Sequence, residues 1–580
     1  MGNMTNQEIA KIFYEISEYL EMQNEPFKPR AYRRAAEAIG GLQESLADIY
    51  EREGLKGLED VPGVGVSIAE KIEELLETGK LKYYQRLKEK MPVDLAELSA
   101  VEGLGPNNIK ILYKKLGIKN IKQLEQAAKQ GKIRRLEGFG EKKERNILRG
   151  IEFLKKSGGR FLLSVALAQA REIEGRLQRI KGIKKAVVAG SVRRRKETIG
   201  DLDFLVATTD KQATDKVIDF FVSMPEVAVV FAKGDTKAAV KLKNGLDADL
   251  RVVPEKSYGA ALNYFTGSKD HNIALRKIAI KKGYKLNEYG LFRGQKWVAG
   301  KNEEEIYKKL GLEYIESEMR EMTGEIGVKL PQLIDYRDLR GDLQIQTDWS
   351  DGNNSIEEMA KAAVKAGLEY ILITDHTKRL AMANGLDEKR ILKQMKEIDQ
   401  VNERLKKQKI KIKVLKGSEC DILKDGAMDL SDKVLSKLDI VGGAVHSHFN
   451  LSKKEQTERL KKAMANPHVD IIFHPTGRLI NKRPAYDLDM EEIIKTAKRT
   501  KTVLEIDAFP DRLDLKDEYI HQCVDAGVRM SISSDAHSAD HFSVLEYGIA
   551  QARRGWATKK DIINVWSLTK MLKMTKSGRE

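Results

Sequence analysis

Cysteine is almost absent from this sequence, and long apolar runs are missing altogether. Only Cys420 and Cys523 occur among the 580 residues, which excludes a disulfide framework and a cysteine-based zinc finger. No apolar run approaches the roughly 20 residues of a membrane-spanning helix, and the N-terminus has neither a basic start nor an apolar signal core. We therefore expect a protein that stays in the cytoplasm, a reducing compartment.

Charge, by contrast, is plentiful and unevenly spread. With 580 residues, 41% of them hydrophobic and 33% charged, the chain is long enough for about four globular domains. The net charge is +16, and residues 81–200 contain 30 Lys and Arg against 12 Asp and Glu. This basic region indicates a polyanionic partner, although a merely solvated basic surface would have the same composition.

One glycine motif occurs three times in the first 151 residues. The copies are DVPGVGVSIAEKIEELLETGK at 60–80, AVEGLGPNNIKILYKKLG at 100–117 and RLEGFGEKKERNILRGI at 135–151. In each copy a tight turn precedes an amphipathic helix, and its glycines leave backbone N–H groups open to a phosphate. Three copies predict helix-hairpin-helix units that bind the DNA backbone without reading its sequence. The glycines of these turns are Gly63, Gly65, Gly103, Gly105, Gly138 and Gly140.

The segment KAVVAGSVRRRKETIGDLDFLVAT at 185–208 predicts a metal-dependent site. Asp201 and Asp203 lie two apart on a predicted strand, so both carboxylates point to one face. A later strand, GLDADLRVVP, contributes Asp249. Three carboxylates that converge from neighbouring strands hold two divalent cations, which activate an attacking oxygen and stabilise a leaving pyrophosphate. This pattern favours a nucleotidyltransferase palm over an isolated, solvated DxD strand end.

The same segment contains groups that suit a triphosphate. Gly190 permits close approach of the backbone, Ser191 offers a hydroxyl, and Arg194 offers a guanidinium. They precede the DLD motif by about ten residues, at the end of the preceding predicted strand.

A possible nucleophile lies in the first hairpin unit. Lys71 follows the first glycine turn, and FKPRAYRRAA upstream supplies Lys28, Arg30 and Tyr32. A lysine held among other cations has a lowered pKa and forms a Schiff base with a sugar aldehyde. The alternative is that Lys71 is one more exposed helix lysine.

Residues 1–317 resemble the family X DNA polymerases of the polymerase beta type. The resemblance rests on GSVRRRKETIGDLD, on DLRVV, on YFTGSKDHNIALRKIAIKKGYKLNEYGLF and on the hairpins before them. It implies that the three carboxylates bind magnesium or manganese, that Asp249 serves the primer 3′-hydroxyl, and that Lys71 is the nucleophile of a 5′-deoxyribose phosphate lyase, with Lys28 and Tyr32 in its 5′-phosphate pocket. The residues that it implies around the incoming nucleotide are Gly190, Ser191, Arg194, Gly200, Tyr264, Phe265, Gly267, Asp270, Asn272 and Arg276.

Three positions depart from the animal enzymes of that family. Arg195 stands where glycine is expected and His271 where an aromatic ring is expected, which affects the details of nucleotide selection. Ser67 replaces a second lysine of the 5′-phosphate pocket, which weakens the predicted lyase function.

The sequence pattern of the C-terminal part predicts a barrel with metal ligands at its strand ends. After a polar stretch at 318–337 broken by Pro331, apolar β-rich runs alternate with charged helical stretches. Eight of the nine histidines lie after residue 352, several in motifs such as TDH, VHSH, FHP and SSDAH. Several polar residues at the C-terminal ends of the predicted strands favour a metal cluster over isolated capping residues.

This part resembles the polymerase and histidinol phosphatase (PHP) domain of bacterial and archaeal family X enzymes. The resemblance implies a distorted seven-stranded βα barrel with up to three manganese or zinc ions and a phosphodiesterase that trims DNA 3′ ends. Its implied ligands are Asp351, His376, Glu419, His446, His474, Asp535 and His537. Gln344 and Gln346 of GDLQIQTDWSDG occupy two further ligand positions, and an amide oxygen is a poorer donor than imidazole to zinc or manganese. We therefore expect an impaired exonuclease.

The predicted fold class is multidomain, with α-helical hairpin domains, an α+β palm with a thumb, and a distorted (β/α)7 barrel. The predicted boundaries are a lyase-like helical domain at 1–80, hairpin fingers at 81–155, a palm at 156–256, a thumb at 257–317, a linker at 318–337 and a barrel at 338–575. The leading function is a monomeric polymerase that fills short gaps with dNTPs on 5′-phosphorylated DNA during base excision repair. The alternatives are an end-processing nuclease and a non-catalytic protein that binds DNA ends.

Overall fold

The computed structural model of the chain describes residue 4 and the ranges 6–42, 44–101, 104–156, 159–208 and 210–575. No helix in these ranges combines the length and the apolar character that crossing a lipid bilayer requires.

Residues 6–156 form nine helices that share one apolar core, which extends from Ile9 to Ile151. Several of these helices end at glycines in the left-handed conformation, such as Gly79 with φ 67° and Gly117 with φ 66°, where a side chain would be strained. The helices are α1 (Asn6–Met22), α2 (Lys28–Gly41), α3 (Leu46–Glu59), α4 (Val66–Thr78), α5 (Lys82–Lys90), α6 (Leu95–Ser99), α7 (Pro106–Leu116), α8 (Ile121–Lys129) and α9 (Gly140–Lys156).

The next unit is a five-stranded mixed sheet with helices packed against it. Its strands lie in the order β2, β4, β7, β6, β5, and the central pair β4 and β7 is parallel, whereas the other neighbours are antiparallel. The elements are β1 (Phe161–Leu162), α10 (Leu163–Gln178), β2 (Ile183–Val188), α11 (Gly190–Arg193), β3 (Thr198–Ile199), β4 (Asp201–Thr208), α12 (Lys211–Val222), β5 (Val227–Lys233), β6 (Lys237–Leu242) and β7 (Asp247–Pro254).

A smaller unit with its own apolar core follows the sheet. It contains an antiparallel three-stranded sheet in the order β10, β9, β8, and its core includes Leu275, Leu291 and Ile306. The elements are α13 (Tyr258–Thr266), α14 (Lys269–Lys281), β8 (Lys285–Asn287), β9 (Gly290–Arg293), β10 (Lys296–Ala299) and α15 (Glu303–Lys309).

The C-terminal unit is a nearly closed barrel of seven parallel strands in sequence order. Ile345, the last residue of the first strand, pairs with Ala536, which follows the last strand, and this bridge brings the two edges together. The predicted (β/α)7 barrel is therefore confirmed. Its strands are β11 (Gly341–Ile345), β12 (Tyr370–Ile373), β13 (Lys413–Asp421), β14 (Ile440–Ala444), β15 (Ile471–Ile472), β16 (Val503–Asp507) and β17 (Met530–Ser533).

Helices surround the barrel strands, and their N-termini follow local capping rules. Ser355 and Ser452 each form a capping box with a glutamate three residues later, which satisfies backbone donors of the first turn. The helices are α16 (Ile356–Lys365), α17 (Glu388–Lys407), α18 (Asp432–Leu435), α19 (Lys453–Ala465), α20 (Met490–Thr500), α21 (Asp517–Ala526), α22 (Leu545–Arg554) and α23 (Leu568–Leu572).

The segment 318–337 contributes to two cores. Met319 and Leu333 join the apolar core of the small unit, whereas Ile334 joins that of the barrel. Arg320, which follows Met319 in the sequence, is fully buried. The predicted domain boundaries are not fixed by these cores and stay a prediction.

A glycine inside β14 gives a test of the barrel packing. A Cβ on Gly442 would lie 1.8 Å from the Phe473 ring, whereas one on Gly443 would lie 3.3 Å from its nearest neighbour, Ile422. We expect Gly442→Ala to destabilise the barrel by about 1–3 kcal/mol through overpacking and to lower the midpoint of its thermal unfolding by several degrees. Gly443→Ala is the matched control, with a smaller expected shift. Equal midpoints for the two variants in calorimetry would contradict this packing.

Candidate active sites

The three carboxylates of the palm lie on adjacent parallel strands. Asp201 and Asp203 are two residues apart on β4, and in the register of β4 and β7 Asp203 pairs directly with Asp249. Because alternate residues of a strand share a face, the three side chains lie on one side of the sheet. The structure thus brings together the residues that the DLD and DADLR motifs predict.

These carboxylates have no cationic partner within ion-pair distance among the described residues. Burial and the neighbouring charges of Asp201 and Asp249 raise the pKa of Asp203 to about 7, and burial together with Asp201 also raises the pKa of Asp249. Their ligand atoms do not all lie within 4.8 Å of one another. This uncompensated negative charge fits divalent cations, whose binding would relieve it.

The segment that begins at Gly190 lies directly against Asp203. Gly190 has φ 58°, and a Cβ there would lie 2.0 Å from the Asp203 carboxylate oxygen, so only glycine fits. The Ser191 hydroxyl oxygen is buried and has no hydrogen-bond partner among the described residues. An unpartnered hydroxyl beside the carboxylates fits a ligand with acceptor oxygens.

Arg194 completes this segment and reaches the turn after α13. Its Nη1 donates to the Thr266 carbonyl oxygen, and a Cβ on Gly267 would lie 3.1 Å from that nitrogen. Its Nε donates to Glu321 at 3.0 Å. Gly200 lies against Arg160 instead, where a Cβ would be 3.0 Å from the Arg160 Nη1.

The remaining predicted nucleotide residues belong to α13 and α14. The Tyr264 and Phe265 rings meet edge to face at 5.2 Å, and Asn272 Nδ2 donates to the Tyr264 carbonyl oxygen at 2.7 Å. The Asn272 Oδ1 is buried and has no hydrogen-bond partner in the described part of the chain, and Arg276 Nε donates to the Asn272 carbonyl oxygen at 3.3 Å. Asp270 is exposed in the first turn of α14 and does not join this group.

His271, one of the departures from the animal enzymes, contacts buried polar partners through both of its ring nitrogens. It is fully buried, with Nδ1 2.7 Å from a Glu325 carboxylate oxygen and Nε2 2.9 Å from the Tyr307 hydroxyl. Burial lowers the pKa of His271 in spite of Glu325. The side chain therefore connects α14 to α15 and the 318–337 segment inside the core.

The Lys71 site combines a half-buried amine with an aromatic pair. Lys71 Nζ donates to the Ser67 carbonyl oxygen at 2.7 Å and to its hydroxyl at 2.9 Å, and it lies 5.5 Å from the centre of the Tyr83 ring. Burial lowers the pKa of Lys71, and Lys28 adds to this effect. Tyr32 stacks on Tyr83 with ring centres 6.2 Å apart. The predicted residues thus share one surface, and Tyr83 is an addition that no motif indicated.

Each of the three hairpin turns contains the same type of backbone hydrogen bond. The N–H of the residue between the two glycines donates to the carbonyl oxygen three residues earlier, at 3.0 Å in the first turn and at 3.1 Å in the other two. Gly63 and Gly138 have φ 79° and 81°, whereas Gly65 and Gly105 cap α4 and α7. Gly140 begins α9, and Gly103 lies outside the described residues.

In the barrel, the predicted ligands surround the buried carboxylate of Glu419. Its Oε1 lies 2.9 Å from His446 Nε2 and 2.8 Å from His474 Nε2, and its Oε2 lies 3.5 Å from His376 Nδ1. Burial alone would raise the pKa of Glu419, but the three histidines hold it well below its usual range.

Two groups in the barrel have ligand atoms within 4.8 Å of one another, and both include His376. One contains Asp351, His376 and His537, and the other contains His376, Glu419 and His446. The Nδ1 atoms of His376 and His446 are buried and make no hydrogen bond with the described residues. His474 and Asp535, also at strand ends, have left-handed φ values of 30° and 51°, a strain that is common at functional sites. These groups fit divalent cations.

Protein donors surround the position of a third cation near Gln344 and Gln346, although both amide oxygens are buried and have no hydrogen-bond partner among the described residues. Both glutamines are fully buried, and their Nε2 atoms donate to Glu419 Oε2 at 3.0 and 2.7 Å. Arg512 lies opposite, with Nε 3.3 Å from Asp507 and 3.4 Å from Asp535. Amide donors and a guanidinium thus occupy carboxylate oxygens that a metal ion would need. No sequence motif indicated Arg512, because its partners are set only by barrel closure.

Comparison with known proteins gives four family matches along the chain. A helix-hairpin-helix domain matches residues 4–81, and a SAM-like helix-hairpin-helix tandem matches 95–152. The DNA polymerase beta thumb matches 261–321, and the PHP domain matches 342–509.

Individual relatives are similar to different lengths of this chain. The DNA polymerase/3′-5′ exonuclease PolX of Bacillus subtilis is 38% identical over 572 residues, which cover 97% of this chain and 98% of that protein. A probable phosphatase of Acetivibrio thermocellus is 29% identical over 192 residues, 32% of this chain and 73% of its own. Among solved structures, polymerase beta of Leishmania infantum in a ternary complex is 24% identical and covers 39% of this chain and 97% of its own, with a TM-score of 0.26.

The contacts of Gln344 and Gln346 lead to a prediction about the amount of metal that the barrel binds. We expect the double substitution Gln344→His, Gln346→His to increase the divalent metal bound per chain, because imidazole is a better donor than an amide. Elemental analysis after dialysis against manganese or zinc measures the change. Arg512 remains in place as a competing cation, so adding Arg512→Leu should increase the gain further. Identical metal content in the original chain and both variants would contradict this account of the glutamines.

Proposed function

This chain belongs to the family X DNA polymerases that have a C-terminal PHP domain, and on that premise we propose that it fills short gaps in DNA by nucleotidyl transfer at Asp201, Asp203 and Asp249. The chain is a DNA-directed DNA polymerase. An end-processing nuclease and a non-catalytic protein that binds DNA ends therefore lose their support as descriptions of its main activity. The observation that carries the assignment of the site is the direct pairing of Asp203 with Asp249, and a buried Ser191 hydroxyl with no hydrogen-bond partner among the described residues supports it.

In the proposed reaction the three carboxylates hold Mg²⁺ or Mn²⁺. Two such ions, if held there, would supply activation of the attacking 3′-hydroxyl and stabilisation of the leaving pyrophosphate. Ser191 and Arg194 bind the triphosphate through hydrogen bonds, and Gly190 lets the backbone approach Asp203. Tyr264 and Phe265 border the sugar of the dNTP, while Asn272 and Arg276 border the nascent base pair.

We further propose that the hairpin units and the Lys71 surface bind the DNA around the gap. The basic region 81–200 and the three glycine turns support contacts to phosphates rather than to bases. The lowered pKa of Lys71 and its aromatic surroundings support Schiff-base formation with a 5′-deoxyribose phosphate. The chain acts as a monomer in this proposal.

For the barrel we propose a weak 3′-5′ exonuclease. Two groups of histidine and carboxylate ligands support binding of Mn²⁺ or Zn²⁺, and the Bacillus subtilis relative is named as an exonuclease. The glutamine and arginine contacts at the third position argue against a full set of ions.

The palm assignment predicts the effect of removing one carboxylate. We expect Asp203→Ala to reduce nucleotide addition at least about 100-fold, because metal-based charge stabilisation supplies several kcal/mol, and to leave the affinity for gapped DNA nearly unchanged. Asp247→Asn is the matched control, since Asp247 lies on the neighbouring strand β7, two residues before Asp249, but is paired with Lys241 at 2.6 Å. Primer extension and fluorescence anisotropy measure the two properties. Substantial synthesis by Asp203→Ala would refute the assignment.

The lyase assignment predicts a difference between two substitutions at one position. We expect both Lys71→Ala and Lys71→Arg to abolish borohydride trapping on an incised abasic site, because neither side chain forms the Schiff base. Lys71→Arg keeps the positive charge, so binding of the 5′-phosphate should persist in that variant. Unchanged trapping in both would assign the activity to another lysine.

A further inference from the structure

Hydrogen bonds to the protein hold the guanidinium of Arg194 in place. Its Nε donates to Glu321 Oε1 at 3.0 Å and its Nη1 donates to the Thr266 carbonyl oxygen. Nη2 has no acceptor among the residues that the structure describes. Two of the three nitrogens are therefore fixed by the protein, and the third is left for a ligand.

Glu321 is shared between the two halves of the chain. Its Oε1 also accepts a hydrogen bond from Arg554 Nη1 at 3.1 Å, and its Oε2 lies 3.5 Å from Lys196 Nζ. Burial would raise the pKa of this carboxyl, but Arg554, Arg194 and Lys196 together lower it. Glu321 is thus a stable anion between two arginines.

Arg554 belongs to the barrel, at the end of α22, and its side chain is only 3% exposed. Its Nη2 contacts Asp517 at the start of α21, and its Nη1 donates to the Arg194 carbonyl oxygen at 2.8 Å. A buried guanidinium without partners would be strongly destabilising, so this residue is fixed to the barrel on one side and to the palm on the other. It contacts both the backbone of Arg194 and the carboxylate that holds its side chain.

A second barrel arginine contacts the same stretch of the palm. Arg478 Nη2 donates to Glu197 Oε2 at 2.8 Å, while its Nε donates to the Arg512 carbonyl oxygen at 2.9 Å. Glu197 lies three residues after Arg194 and four before Asp201. The palm segment 194–197 is therefore attached to the barrel at both of its ends.

We propose that Glu321 and Arg554 are positioning residues for Arg194, and that the PHP barrel thereby orders the triphosphate subsite of the polymerase. This inference rests on the proposed role of Arg194 in nucleotide binding. An arginine that is already ordered loses less conformational entropy when it binds a phosphate. The barrel would then be needed for polymerisation even where its own metal ligands have been replaced.

The test compares two neighbouring arginines of α22. In the full-length protein we expect Arg554→Met to raise the KM for dNTP about tenfold, the size of effect expected when a charge-assisted hydrogen bond is misplaced. The kcat at saturating dNTP should change less than about twofold, because the carboxylates are untouched. The isosteric Glu321→Gln should raise the KM in the same direction, and it covers the case in which Arg554→Met fails to fold.

Arg553→Met is the matched control. Arg553 is also buried at this interface, but it donates to Glu318 at 2.7 Å and to the Ile334 carbonyl oxygen at 2.8 Å rather than to Glu321. We expect it to lower thermal stability as much as Arg554→Met does and to leave the KM within about twofold, since it does not contact the Arg194 group. Arg554→Lys, which keeps the charge, should restore part of the loss.

The outcomes separate this inference from the proposed function. If Arg194→Ala raises the KM but Arg554→Met and Glu321→Gln do not, the positioning role is refuted and the proposed function stands. A lower KM in Glu321→Gln would identify Glu321 as a competitor of the triphosphate and would also refute it. If Arg194→Ala leaves the KM unchanged, the triphosphate assignment fails, and the inference fails with it. Equal effects of Arg553→Met and Arg554→Met would indicate general loosening of the interface and would refute a specific role.

Discussion

A carboxylate that is removed from water needs a cation beside it, and the sites of this chain depend on how that need is met. In the palm, no cation of the described residues lies within ion-pair distance of Asp203, and burial together with the charges of Asp201 and Asp249 raises its pKa to about 7. In the barrel, histidines surround Glu419 on one side and amide donors on the other. The first arrangement leaves negative charge that divalent cations would neutralise, whereas the second is partly satisfied by the protein alone.

The same constraint joins the two halves of the chain. Glu321 follows the small unit that packs beside the palm, and it is neutralised by Arg194 from the palm and by Arg554 from the barrel. Because the three charges compensate one another in a poorly solvated place, loss of one leaves the others unpaired. A barrel without a full set of metal ions would thus still stabilise the palm, since it supplies Arg554.

The parts of the molecule that sequence patterns predicted are those that depend on neighbouring residues. Glycine turns before amphipathic helices predicted the hairpins, because a left-handed φ such as that of Gly63 is a local property. The DLD motif predicted that Asp201 and Asp203 share a face, because strand geometry alternates side chains. Repeated apolar strands that end in histidine or aspartate predicted a barrel, whose parallel strands place their carboxyl ends on one edge.

The sequence by itself therefore determined the fold class, the shared strand face of Asp201 and Asp203, and the placement of histidines and carboxylates at the ends of the barrel strands, since each has a short-range signature. Only the tertiary structure decided how charges from distant segments are paired. Arg554 and Glu321 are 233 positions apart, and Arg512 meets Asp535 only because the barrel closes. The amide contacts of Gln344 and Gln346 with Glu419 likewise cross between strands. No periodicity or motif encodes such pairs, because their energy depends on burial and distance in the folded chain.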